Sequence, residues 1–172
     1  LNLIYPSGVS TISVSDAAEG DKVRTITSKG MYCNPVLLSK VETLEGRKIG
    51  YMVYSTFDAG FDEELFNVFK NFKKQGVTDV IIDLRYNGGG HTISANLMST
   101  CIAGDNAKDK VFASYRFNDE RMKKLNNKRE EDKFATSSYT NLGTSLSEGY
   151  LGLKKVYCII GSQTASSSEL FI

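Results

Sequence analysis

Gly76-Val77-Thr78-Asp79-Val80-Ile81-Ile82-Asp83-Leu84-Arg85-Tyr86-Asn87-Gly88-Gly89-Gly90 joins a continuous apolar run to three consecutive glycines. A run of this length and β-branched content predicts a buried strand of a parallel sheet, delivered into a turn where no side chain obstructs the backbone. Glycine is required where φ is positive or where a ligand must approach the main chain, and a glycine cluster leaves several N–H groups free to converge. An ordinary strand-to-helix turn and an anion or oxyanion cradle both meet this description.

Outward from that stretch, the flanks read as its supports. Val36 to Leu44, a Glu45-Gly46-Arg47 turn and Ile49 to Phe57 predict two antiparallel strands. Asp62 is placed to cap the next helix, with Glu63 and Glu64 at its positive end, Lys73 and Lys74 at its negative end and Gly76 as its stop. Leu65, Phe66, Phe69 and Phe72 form its apolar stripe. Strand, helix and the Val77–Leu84 strand then make a βαβ unit that carries the glycines to the carboxyl edge of the sheet, where ligand sites gather. Ile93, Leu97, Cys101 and Ile102 predict a second helix ending at Gly104, its N-terminus facing the glycine turn.

Farther out, Val111 to Phe117 predicts a strand, Asn118 to Lys133 an exposed helix or insertion, and Thr136 to Gly152 a mobile loop. Lys155 to Ile160 predicts one more buried strand. On the amino-terminal side, Ile12 and Val14 alternate ahead of Val23 and Ile26, predicting a hairpin turning at Glu19-Gly20-Asp21. Asn34-Pro35 marks a boundary, because the residue before proline is driven from helical geometry. The expected division is a β-rich segment over 1–34 and an α/β core over 35–172.

At 172 residues, 41% hydrophobic and 24% charged, the chain can bury one sizeable core. A net charge of +1 gives no electrostatic case for nucleic acid or a membrane surface. Cys33, Cys101 and Cys158 fit neither a zinc framework nor a full disulfide set, and are expected as buried thiols. No apolar run is long enough to span a bilayer. Ile93 stands where a dinucleotide fingerprint needs its third glycine, and no Gly-Lys-Ser/Thr follows for a P-loop. Beginning at Leu1, the chain is expected to be a piece of a longer protein.

The second informative stretch is Gly161-Ser162-Gln163-Thr164-Ala165-Ser166-Ser167-Ser168-Glu169. Its form is strand, small-residue turn, then helix, and Ser166 with Glu169 matches a capping box. A serine at such a turn also presents its hydroxyl beside free helix N-terminal amides, as a nucleophile requires.

Taken together, Ile81 to Gly90 and Thr164-Ala165-Ser166-Ser167-Ser168-Glu169 resemble the S41 peptidases, the C-terminal processing or tail-specific proteases, whose signature is T-A-S-A-S-E. The resemblance covers about Pro35 to Ile172; the segment before it is compatible with the end of the PDZ-like module that often precedes this core. It implies a crotonase-like or ClpP-like core of repeated ββα units, with Ser166 as nucleophile. It further implies an oxyanion hole from the Ser167 amide and a glycine amide, Gly90 or else Gly89. Ser167 departs from the signature's alanine, which is harmless if only its amide is used. The implied substrate is a peptide or unfolded protein segment in the cell envelope, without metal or other cofactor.

The implied base is a lysine downstream of the serine helix, which the chain ends before reaching, so residues 1–172 alone are expected to be inactive. A neutral lysine base needs a pKa lowered by burial. His91, the chain's one histidine, is the only candidate for a Ser-His-Asp arrangement, and a structural role is the preferred reading. Asp83 and Arg85 share a strand face and are expected as a supporting ion pair; Asn87 is expected to shape the turn. The alternative function is a non-catalytic module of the same fold that binds a peptide or small ligand.

Overall fold

A computed structural model describes residues 9–16, 20–27, 33–135, 142 and 144–172. The chain divides into two compact units, Leu1–Cys33 and Asn34–Ile172. In the first, β1 (Val9–Asp16) pairs antiparallel with β2 (Gly20–Thr27), Asp16 opposite Gly20. Gly20 and Asp21 of the expected Glu19-Gly20-Asp21 turn therefore belong to β2, and Glu19 lies outside the described residues.

The second unit is built on a four-stranded sheet of order β3-β4-β5-β8. The strands are β3 (Val36–Leu44), β4 (Arg47–Tyr54), β5 (Asp79–Asp83) and β8 (Tyr157–Ile159). The β3–β4 pair is antiparallel, whereas β4, β5 and β8 run parallel. Three successive carboxyl ends therefore open onto one edge of the sheet. Alternation in β4 sends Gly50, Met52 and Tyr54 into the core, and Val80 and Ile82 of β5 follow them.

Helix α1 (Asp62–Gln75) lays Leu65, Phe66, Phe69 and Phe72 on that face, all fully buried. Gly50 makes room for it: a Cβ there would come within 2.9 Å of the Phe72 ring. Gly76 ends the helix at φ 71°, and Val77 N–H returns to Phe72 O at 3.0 Å. The expected cap is corrected. A 3-10 turn over Ala59–Phe61 precedes α1, so the capping side chain is Asp58, whose carboxylate accepts from Gly60 N–H, while Asp62 is already helical and buried. Helix α2 (Thr92–Ala103) completes the layer with Ala95, Leu97, Met98 and Cys101.

Three further expectations change. Asn118 to Lys133 holds both a short helix, α3 (Asp119–Lys124), and a strand, β7 (Glu130–Lys133), which pairs antiparallel with β6 (Val111–Tyr115). The loop expected over Thr136–Gly152 contains a 3-10 turn at Leu146–Gly149 whose Leu146 is fully buried; residues 136–141 and 143 lie outside the described ones. Strand β8 is not buried. It takes the edge of the sheet, and Tyr157, Ile159 and Ile160 are exposed. Of the cysteines only Cys101 is buried, with Cys158 intermediate and Cys33 exposed.

Candidate active site

At the carboxyl edge, the segments leaving β4, β5 and β8 interlock. Past β4, Phe57 forms an isolated parallel bridge with Gly90: Phe57 N–H donates to Gly89 O at 2.8 Å, and His91 N–H donates to Phe57 O at 2.7 Å. Past β8, Thr164 anchors the small-residue turn by donating its hydroxyl to Leu84 O at 2.7 Å while accepting Gly161 N–H at 3.0 Å. That turn delivers Ser166 to the start of α4 (Ser167–Phe171).

Asn87 joins the three. It is fully buried, and its side chain donates to Tyr54 O at 3.0 Å and accepts Gly89 N–H at 2.9 Å. Its carbonyl accepts Ala165 N–H at 3.3 Å and the Ser168 hydroxyl at 3.0 Å. A buried amide group with its polar atoms satisfied fixes geometry strongly, because any displacement leaves unpaired groups behind.

The glycines are dictated by contact as well as conformation. Gly89 has φ 103°, and a Cβ on it would fall 2.6 Å from Ser166 Cβ and 2.9 Å from Ser167 N. Gly90 has φ 134°, and a Cβ there would fall 2.1 Å from Phe57 O. The glycine turn and the serine turn are thus in van der Waals contact.

Ser166 is exposed, with φ 55° and ψ −121°. That is a costly conformation for a residue with a Cβ, of the kind that collects at functional sites. It turns the hydroxyl-bearing carbon toward the glycines at the point where strand gives way to helix. The Glu169 carboxylate accepts Ser166 N–H at 2.9 Å, so the capping-box glutamate holds the strained residue by its backbone.

Beside Ser166, the N–H groups of Ser167 and Gly90 donate to no described acceptor. Ser167, at the first position of α4, has an amide with no intrahelical acceptor. Gly90 is exposed, and among the described residues its N–H donates to none. Its direction is set from the far side of the peptide plane: Gly89 O accepts from Phe57 N–H at 2.8 Å and from the Thr56 hydroxyl at 3.1 Å, so the trans N–H points away from them. Gly89 is different. Its N–H is buried and committed to Asn87, so of the two glycines only Gly90 has an amide to offer.

The supporting residues lie beside this edge. Arg85 donates to Asp83 through Nε at 3.0 and 3.1 Å and through a terminal nitrogen at 2.7 Å; Tyr51 donates its hydroxyl to Asp83 at 2.8 Å. Arg85's hydrogen bonds, opposed by burial and aided by Tyr51, hold the Asp83 carboxyl below the usual aspartate range. The bond to Asp83, with burial adding, raises the Tyr51 phenol. Asp83 is thereby an ion-pair partner with its oxygens occupied.

His91 is exposed, and its Nδ1 accepts Ala59 N–H at 3.2 Å, a structural use of the ring. Among the described residues no lysine or histidine hydrogen-bonds Ser166, and Lys154 and Lys155 are exposed. No group of three or more histidine, cysteine, aspartate or glutamate side chains among the described residues could hold a metal ion.

Sequence reasoning missed Thr56, Ser168 and the Ser167 hydroxyl. Ser167 is 2% exposed and donates its hydroxyl to Gly90 O at 2.6 Å, so this side chain is engaged rather than idle. The available signal was the run of three serines, in which each hydroxyl has a different environment.

With this geometry in view, the relatives can be set beside it. The family model of Peptidase family S41 matches residues 48–172. The carboxyl-terminal-processing protease of Picosynechococcus sp. (strain ATCC 27264 / PCC 7002 / PR-6) is 33% identical over 84 residues, 47% of this chain and 20% of that protein. The chain thus spans about a fifth of the length of this curated relative. An S41 protease structure from Bacteroides fragilis NCTC 9343 superposes with a TM-score of 0.68 at 23% identity, over 94% of this chain and 42% of that one. The photosystem II D1 C-terminal processing protease gives 0.56 at 16% identity, over 94% and 40%. Both structures share the mixed α/β fold.

Proposed function

The chain belongs to peptidase family S41, and on that premise we propose that it carries the nucleophile and oxyanion hole of a serine endopeptidase of the C-terminal processing type. In this reading Ser166 Oγ attacks the scissile carbonyl carbon, and the carbonyl oxygen becomes an oxyanion held by the Ser167 and Gly90 amides. The serine proton passes to a base and then to the leaving amine as the C–N bond breaks. Water, deprotonated by the same base, hydrolyses the acyl-serine. Asp83, Arg85 and Asn87 support the turn. The observation that carries the proposal is the exposed Ser166 at φ 55°, ψ −121°, against the Gly89-Gly90 backbone.

The base is proposed to be a lysine placed after the serine helix in the full-length protein, since no described lysine or histidine bonds Ser166. The proposed fold detail is a crotonase- or ClpP-like core over 35–172, with 1–34 the end of a PDZ-like module. Substrates would be extended or unfolded peptide segments, met in the cell envelope. No helix among the described residues is long and apolar enough to cross a membrane. An active-site fluorophosphonate tests this. It should label the full-length protein, fail on Ser166→Ala, and fail on residues 1–172 alone. Labelling of 1–172 would move the base into this chain, with His91 the first suspect. A full-length protein that resists the probe yet binds unfolded peptide would be a non-catalytic binding module instead.

A further inference from the structure

We infer that the Ser167 hydroxyl is a positioning group that locks the two oxyanion donors to each other, an inference that rests on the peptidase reading above. The donors come from unrelated elements: one amide opens α4, the other belongs to the glycine turn after β5. An oxyanion hole works only if both point at the same place, because their contribution depends on aligned N–H groups already fixed before charge develops. Two contacts hold the elements together through a third residue, Ala165 N–H to Asn87 O at 3.3 Å and Ser168 hydroxyl to Asn87 O at 3.0 Å. One contact joins the donor-bearing residues directly. Ser167 Oγ donates to Gly90 O at 2.6 Å across 77 positions of sequence.

The consequence follows from peptide planarity. Gly90 has two soft dihedrals and, at φ 134°, a conformation that no side chain confines. Its preceding peptide plane is held at Gly89 O by Phe57 and Thr56. Its following plane is held at the His91 N–H by Phe57 O at 2.7 Å and at Gly90 O by Ser167, the one of these two bonds that ties the plane to α4. With both planes fixed, the residue cannot rotate its N–H out of line. Burial of Ser167 to 2% exposure excludes the water that would otherwise replace this bond. Alanine at 167 would keep the donor amide and lose the lock, so the serine is a refinement of the hole rather than a condition for it.

The test uses the full-length protein, active-site titrated so that a misfolded fraction does not count. Ser167→Ala removes the donor, and Ser167→Cys keeps nearly the volume with a weak one. Both are expected to lower kcat about tenfold with KM unchanged, because a misaligned Gly90 amide weakens by about one ordinary hydrogen bond an interaction realised only in the transition state. Both should also weaken binding of a peptide boronate, whose tetrahedral adduct places an oxygen in the hole, by a similar factor. A merely structural role would lower the titrated active fraction and leave boronate affinity per active site unchanged. Unchanged kcat and boronate affinity in both variants would overturn the inference while leaving the peptidase reading intact. Retained hydrolysis in Ser166→Ala would instead remove the peptidase reading itself.

Discussion

Asn87 accepts the Gly89 N–H on its side-chain oxygen at 2.9 Å, and through this bond the residue that contacts Ser166 is tied to the end of β4, where Asn87 Nδ2 meets Tyr54 O at 3.0 Å. Asn87→Ala strands a buried donor and a buried acceptor at once. Each unsatisfied group costs about 1–3 kcal/mol, so the variant should lose about 3 kcal/mol or more in urea unfolding. Asn87→Asp keeps the acceptor for Gly89 but offers no donor to Tyr54 O and buries a carboxylate. It should be at least as unstable at pH 7, with part of the deficit relieved on acidification. A near-neutral Asn87→Ala would show that this residue is a bystander.

A second prediction separates two glycines that both have positive φ. Gly46, at φ 78°, has nothing within 4 Å of an added Cβ, whereas at Gly90 the same atom falls 2.1 Å from Phe57 O. Gly46→Ala therefore meets conformational strain alone, about 1 kcal/mol. Gly90→Ala must also break the Phe57–Gly90 bridge, and should cost several times as much. Urea midpoints of the two variants, with unchanged slope for Gly46→Ala, decide this; equal costs would mean that the backbone at 90 yields freely.

How much of this was readable in advance follows from the kind of signal. The Val77–Leu84 run and the three glycines are local features, and local features set the strand, its parallel setting and the turn. The Asp83–Arg85 pair was expected from a shared strand face, but β5 ends at Asp83 and Arg85 meets it from the turn that follows, where its backbone N–H also donates to Asp83 Oδ1 at 3.2 Å. Strand β8 was misread because apolar residues from Val156 to Ile160 look alike in a central strand and in an edge strand; only the neighbours decide. Strand β7 gave no signal, as Glu130-Glu131-Asp132-Lys133 is exposed throughout and its conformation comes from pairing with β6. Asp58 displaced Asp62 as a cap because a 3-10 turn shifts the helix start by a few residues. The Ser167–Gly90 bond was beyond sequence reasoning altogether, being a contact between a hydroxyl and a carbonyl 77 residues apart.

The Tyr51–Asp83–Arg85 cluster should leave a mark at both ends of the pH scale. Asp83 has a lowered pKa, chiefly from Arg85, so its contribution is complete above the unfolded value of about 3.9 and is lost as pH falls through the folded one. Tyr51 has a raised pKa, chiefly from Asp83, so its contribution is complete below the unfolded value of about 10 and is lost as pH rises through the folded one. Asp83→Asn should thus be less stable than the parent at pH 7, with the gap narrowing as pH drops below about 4. Tyr51→Phe should show a gap that narrows above about pH 10 and, because the Tyr51 hydroxyl also lowers the Asp83 pKa, again below about pH 4. Urea midpoints across pH measure both; gaps independent of pH would mean that the pairings carry no linked protonation.

The last prediction concerns the conformation of Ser166. At φ 55° and ψ −121° any residue with a Cβ is strained by about 1–3 kcal/mol, whereas glycine enters this region readily. The capping bond does not separate the possible replacements, because Glu169 accepts from the backbone N–H of residue 166, which every replacement retains. Ser166→Gly therefore relieves the strain and loses about 0.5–1 kcal/mol through the greater freedom of the unfolded chain. Ser166→Ala relieves nothing. The glycine variant should be more stable than the alanine variant by about 1 kcal/mol, although Ala is the better helix residue and Gly would be the worse choice at an unstrained position. Both variants should lack hydrolytic activity in the full-length protein, since neither has the hydroxyl. Thermal or urea unfolding of the two variants is sufficient. An alanine variant as stable as the glycine variant would show that residue 166 relaxes out of the left-handed region once the serine is gone, and that its conformation is not imposed by the surrounding turn.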